Sequence, residues 1–507
     1  MSEGRGRDAA GLGSVSQRLP GNRRLAFATL ALLALAALVA GIAFGGGGDE
    51  QVASSTAPAD AAMRLVPADA LVALHLSTDT GRPAVRRAGR LVGRLPSWPR
   101  LRDDLLSRLD SRGCGIDLRK DAGREVAFAL LPGRRGIASP LFLTDAPARG
   151  LPDEGRQPCG ALIVRRIGDL VAIGEPDALL AAAAVADGSR RRLVDAPTYR
   201  RAAAGLPRER VLSAWASGNG TRRLLRPLGG LLGTLASLLD MPGLKGAVAS
   251  VVVDGTVARI TIRRVSSRAI DAPAFSPTLQ RHAPSDAIFY SASGDLAGGL
   301  QSLLLLNRSN AVRTLDGLLK AGDRALARLS RLVSESAFVV APGPDGPVIT
   351  LLARTRDAAK ARVAVRALEP SLGRLIGAAQ GAAFADAQLG GAARRLDVGG
   401  ATLAYGFDGD VLALSTADSG VTAARAPDAR LASSPAFRTA SAKLPRRITS
   451  LVLLDPKQLL RLGVDTGTGL EDALQDVRDD LARVRAIGIY ASGTGGSSTV
   501  DLSLSIP

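Results

Sequence analysis

The sequence predicts an α+β protein: an N-terminal transmembrane helix followed by two duplicated lobes, each a largely antiparallel sheet with packed helices. Three observations predict it. Twenty consecutive uncharged residues near the N-terminus are long enough to cross a bilayer as a helix. Five short segments of the first half recur, in the same order, in the second half. Strand-like runs are separated by hairpin-turn residues rather than by strict alternation with helices.

Residues 1–24 are polar and read as a disordered cytoplasmic tail. Leu25 to Phe44 form the apolar run, flanked by Arg23 and Arg24 before and by Asp49 and Glu50 after. Arginines resist translocation, so the tail is expected inside and residues 49–507 outside the cell membrane, in a single-pass arrangement. A cleaved signal peptide is the rival reading, with Gly41 and Ala43 as small residues for cleavage. The run exceeds the roughly 7–15 residues of a signal core. Residues 45–62 follow as a flexible linker.

The first lobe is expected over 63–265, a Ser-, Ala- and Pro-rich link over 266–281, and the second lobe over 282–507. The segment from Pro67 to His75 is echoed from Pro284, 217 positions later. Glu125 to Gly133 returns as Glu335 to Gly343 at 210, and Gly168 to Ile173 as Gly409 to Leu414 at 241. Pro197-Thr-Tyr-Arg200 and Leu206-Pro-Arg208 recur as Pro435-Ala-Phe-Arg438 and Leu444-Pro-Arg446, both at 238. The jump from 210 to 241 places an insertion in the second half, at the helical-looking stretch 356–375. Each half then reads as strand, helix, two strands, a hairpin, short helices, strand, long helix and a closing strand pair. Pro suits the first turn of the short helices, and Gly168-Asp169 and Gly409-Asp410 suit tight hairpin turns.

The opening Leu65-Val-Pro-Ala-Asp-Ala-Leu-Val72, just after an apolar anchor, resembles an exported, membrane-anchored bacterial family, domain of unknown function 3352. The Pro-x-aromatic-Arg segments resemble it too. The resemblance implies location and length over roughly 65–507; it implies no activity and brings no functional residues.

The formal charge is +18, carried mostly by arginine. Codon usage in a GC-rich genome is one reading; attraction to anionic lipid or wall polymers is the other. Aromatic residues are only 3% and the basic residues are scattered, so nucleic acid is not an expected partner. Catalytic, metal and cofactor motifs are absent: no Gly-x-Ser-x-Gly, no His-Glu-x-x-His and no phosphate-binding loop occurs. The two histidines are few for a zinc site; His75 reads as a structural strand residue and His282 as a surface-turn residue. Cys114 and Cys159, 45 residues apart, read either as one disulfide in an oxidising space or as two buried thiols.

One helix stands out. Leu228, Gly229, Gly230, Leu232, Gly233 and Ala236 belong to a stretch without charge from Pro227 to Leu239. Such a helix is buried between lobes or is a contact surface for a partner, since small residues allow close helix approach. The sequence favours a cell-envelope binding or scaffold protein over an enzyme, expected to meet the membrane through its N-terminal helix, with an envelope protein, a lipid or an anionic wall polymer as candidate partners. An exported hydrolase using carboxylates in an inter-lobe cleft is the alternative.

Overall fold

The computed structural model describes residues 58, 60–100, 103, 123–133, 137–145, 156–159, 162–225, 243–269, 272–296, 324–344, 346–375, 383–389, 392–425, 429–466 and 478–507. The first half contributes nine strands: β1 (Val72–Ser77), β2 (Glu125–Pro132), β3 (Ala138–Thr144), β4 (Arg156–Cys159), β5 (Leu162–Ile167), β6 (Leu170–Gly174), β7 (Leu212–Ser217), β8 (Leu244–Asp254) and β9 (Val257–Ser266). The second contributes β10 (Phe289–Ser293), β11 (Val333–Ala341), β12 (Val348–Thr355), β13 (Ala385–Ala387), β14 (Ala393–Val398), β15 (Ala401–Asp408), β16 (Val411–Ser415), β17 (Ser450–Leu454), β18 (Ala486–Thr494) and β19 (Ser497–Ser505). Between them lie helices α1 (Pro83–Val92), α2 (Pro176–Ala186), α3 (Pro197–Ala203), α4 (Arg324–Leu332), α5 (Ala358–Leu375), α6 (Asp418–Arg425), α7 (Pro435–Ser441), α8 (Pro456–Thr466) and α9 (Arg478–Arg483).

All 19 strands of the described residues join one antiparallel sheet. Across it the order is 4-5-6-3-2-1-7-8-9 and then 19-18-17-10-11-12-16-15-14-13. The second half therefore repeats the first in mirror order, with β13 added at the far edge. Registers repeat with it. Val72 lies opposite Leu130 and Ala216; 217 residues on, Phe289 lies opposite Val340 and Leu454. The hairpin turns repeat as well, with Gly168 and Gly409 both at φ +58°, a conformation that favours glycine.

This corrects the expectation of two α+β lobes behind a transmembrane helix. The described chain is mostly sheet, its helices are short apart from α5, and the halves share one sheet instead of closing as separate lobes. The reason lies in the closing strands. Ending each half at β9 or β19 would leave long rows of unpaired N–H and C=O groups. Instead β9 and β19 pair along their whole length, from Val257 opposite Ser505 to Val265 opposite Ser497. At the centre Thr261 Oγ1 donates to Asp501 Oδ1 at 2.5 Å. Apolar packing crosses the seam too: Val85 and Leu91 of α1 cluster with Val253 from the first half and Val484 and Ile506 from the second. Among the described residues no helix is long and apolar enough to cross a membrane. Leu25 to Phe44 lie outside those residues, as does the tail before them.

The sheet buries side chains on both faces. On one face α2, α3 and the turn Ala62–Leu65 cover Ala127, Leu141, Leu143 and Trp215. The matching face of the second half packs Tyr290, Val339, Leu352 and Leu453 with Phe437 of α7. On the opposite face α4 and α5 cover Phe338, Leu412 and Tyr405. Proline opens α1, α2, α3 and α7, where its missing N–H costs nothing.

Candidate functional site

Two groups of side chains stand out, one in each half. The first is a buried ionic cluster. His75, on β1, is 1% exposed and lies beside Glu125, which opens β2 and is equally buried. Its Nε2 is 2.8 Å from Glu125 Oε2, and its Nδ1 is 3.3 Å from Asp60 Oδ1. Asp60 pairs in turn with Arg210. The other Glu125 oxygen accepts the backbone N–H of Ala61 at 3.0 Å, so this carboxylate also holds the start of the Ala62–Leu65 turn. Nearby Arg82 donates to the carbonyls of Arg208 and Arg210 at 3.2 and 3.1 Å. Burial pulls its guanidinium below the usual arginine range, with Asp79 opposing.

The second half keeps the carboxylate and loses the ring. Glu335 stands where Glu125 does and accepts the N–H groups of Thr278 and Leu279 at 2.8 and 3.0 Å. Ala292 takes the place of His75, opposite Ala337 as His75 is opposite Ala127. Both ring nitrogens of His75 face carboxylates, so the imidazole has no free nitrogen with which to serve as a base. The cluster is a structural clamp on the segment entering the sheet.

The second group lines a cavity of about 450 Å³ in the second half. Its walls are Val339 and Ala341 of β11, Val348, Thr350 and Leu352 of β12, the α6 residues Ser419, Gly420, Thr422 and Ala423, and the segment from His282 to Asp286. Matching strand registers identify what the first half puts in the same place. Val339 faces Thr350, and Thr350 faces Ser415; in the first half Ala129 faces Leu141, and Leu141 faces Gly174. Thr350 thus corresponds to Leu141, Ser415 to Gly174 and Ala341 to Leu131. Leu141 and Leu131 are 0% and 3% exposed, members of a closed core. Leu131 and Leu141 give way to the smaller Ala341 and Thr350 beside the cavity, while Ala129 and Ser139 give way to the larger Val339 and Val348.

At Thr350 and Ser415 this wall is polar where the first half has Leu141 and Gly174; at Val348 it is apolar where the first half has Ser139. Thr350 Oγ1 and Ser415 Oγ share a hydrogen bond at 2.9 Å. Gly420 lies over this pair, and a Cβ there would collide with both hydroxyls. His282 stands two residues before Pro284, where the first half has Leu65 before Pro67. Its Nδ1 lies 3.1 Å from the Ala424 carbonyl. A carbonyl only accepts, so in the neutral ring Nδ1 carries the proton and Nε2 is the acceptor.

No family model matches the sequence. No curated protein matches it either. Crystal form III of TP0453 aligns with 45% of this chain and 95% of its own, at 8% identity and a TM-score of 0.25, and carries no argument. The family resemblance of Leu65 to Val72 therefore rests on the sequence alone.

Several sequence candidates fall outside the described residues. Leu228, Gly229, Gly230, Leu232, Gly233 and Ala236 all do so, and so does Cys114. Cys159 ends β4 at the edge of the sheet. Among the described residues no group of acids, histidines or cysteines could hold a metal ion. The inter-lobe cleft on which a carboxylate hydrolase would depend is replaced by the β9–β19 seam. Sequence reasoning placed His282 in a surface turn and passed over Thr350, Ser415 and Gly420. Aligning the halves position by position carries the missing signal, since Leu141 against Thr350 is an apolar-to-polar exchange at an inward strand position.

Proposed function

We propose that this chain is a cell-envelope binding protein, held at the membrane by the apolar run Leu25–Phe44 with its sheet outside, and that the second-half cavity is its ligand site. One observation carries the reading: the same architecture is closed by Leu131 and Leu141 in one half and hollowed at Ala341 and Thr350 in the other. Leaving space unfilled forfeits dispersion and burial energy, so a hollow beside a filled copy of itself is a feature with a use. Mixed apolar walls and a few convergent polar groups are what small-molecule sites present. The resemblance to an exported, anchored family and the arginines before the apolar run support the location.

The test transplants the first half's packing into the second. Full-length protein and the variant A341L/T350L/S415G are purified from the native membrane under identical conditions. Small molecules released on denaturation are compared by mass spectrometry. A compound retained by the wild type and lost from the folded variant supports the proposal. The same complement on both, or no compound on either, contradicts it.

A further inference from the structure

The charges around the cavity say what kind of molecule it takes. The chain holds 65 lysines and arginines, yet among the described residues none lines the cavity, and the one carboxylate in its lining is that of Asp286. The first half shows the contrast. There Asp69, the counterpart of Asp286, is paired with Arg190 at 2.7 Å. Among the described residues Asp286 has no cation within ion-pair distance. The loop opposite has changed with it. The N–H of Ala68 bonds the carbonyl of Arg191 at 2.9 Å, and the N–H of Ser285 bonds that of Ala429 at the same length. At that register Arg191, the neighbour of the Arg190 that pairs with Asp69, gives way to Ala429, which lines the cavity. The hydroxyls of Ser285, Ser419 and Thr422 in the lining offer further acceptors. Val339, Val348 and Leu352 supply an apolar wall.

We infer that the cavity binds a small organic cation, an amine carried on an apolar body, with the ammonium against Asp286. This rests on the cavity being a ligand site. An ammonium offers donors to acceptor-rich groups, whereas a carboxylate would face Asp286 with like charge.

The test uses full-length protein and three probes of one shape: benzylamine, benzyl alcohol and benzoate. Binding is measured by calorimetry at neutral pH and low salt. Benzylamine is expected to bind about fivefold tighter than benzyl alcohol, as befits a partly exposed ion pair, with benzoate weakest. Asp286→Asn should bring the amine down to the alcohol, and A341L/T350L/S415G should abolish binding of all three. If the alcohol or benzoate binds as tightly as the amine, and the filled variant loses them all, the site stands and the cation inference is overturned. Binding that survives filling, or binding of no probe, overturns both.

Discussion

His75 shows how one residue ties the chain together. Its ring lies between Glu125 and Asp60, and Asp60 reaches Arg210, so four charged or chargeable groups form one connected set. Removing the ring leaves Glu125 buried with half its partners. His75→Ala should therefore cost about 2–4 kcal/mol in urea unfolding; a loss below about 0.5 kcal/mol would show the clamp to be idle. Tyr199 gives a pH prediction. Burial first, and Asp60 next, push its phenol up to about 12, with Arg210 opposing. The folded state holds the proton above the ordinary value of 10.0. Its contribution is thus complete below pH 10 and lost as pH rises through about 12. Alkaline unfolding monitored by circular dichroism should begin later for Tyr199→Phe, whose ring cannot ionise. That His75 sits in a strand was legible in the sequence. Its partners were not, because Asp60, Glu125 and Arg210 are remote in sequence and only strand pairing assembles them.

At the scale of elements, local chemistry read well and pairing read poorly. The Pro-x-aromatic-Arg segments are helices α3 and α7, with Tyr199 and Phe437 buried, because proline fixes the first turn and the aromatic two residues on points inward. Gly168 and Gly409 turn hairpins, as their conformational freedom implies. The meeting of β9 with β19 has no local signal, since alternating strand residues such as Ile260 and Leu502 do not say which edge they seek. Thr350 escaped notice for a similar reason: one threonine in an apolar strand is ordinary until Leu141 is set beside it. The register comparison makes a stability prediction independent of any ligand. A341L/T350L/S415G should unfold at equal or higher urea concentration than the wild type, gaining up to about 2 kcal/mol from the added buried surface. A loss of more than about 2 kcal/mol would show that the halves do not pack alike.

At the scale of the molecule, one sheet carries two copies of a unit, and the seam makes them a single body. Thr261 and Asp501 meet at its centre, six residues after Gly255 and Gly495 respectively. The segment after α1 bridges the halves, with the Arg94 side chain donating to the Ile506 carbonyl at 3.1 Å and the Ser97 N–H to Asp480 at 3.0 Å. Denaturant unfolding should accordingly show one transition by both tryptophan fluorescence and circular dichroism; two separated transitions would indicate independent halves. The second half carries the cavity beside Ala341 and Thr350, where the first half packs Leu131 and Leu141 in its core. The most direct measurement is a crystal structure of the protein soaked in benzylamine. The account predicts electron density for the ring between Val339, Thr350 and Leu352, with the amine nitrogen beside Asp286. An empty cavity at saturating benzylamine, or density only elsewhere on the sheet, would contradict it.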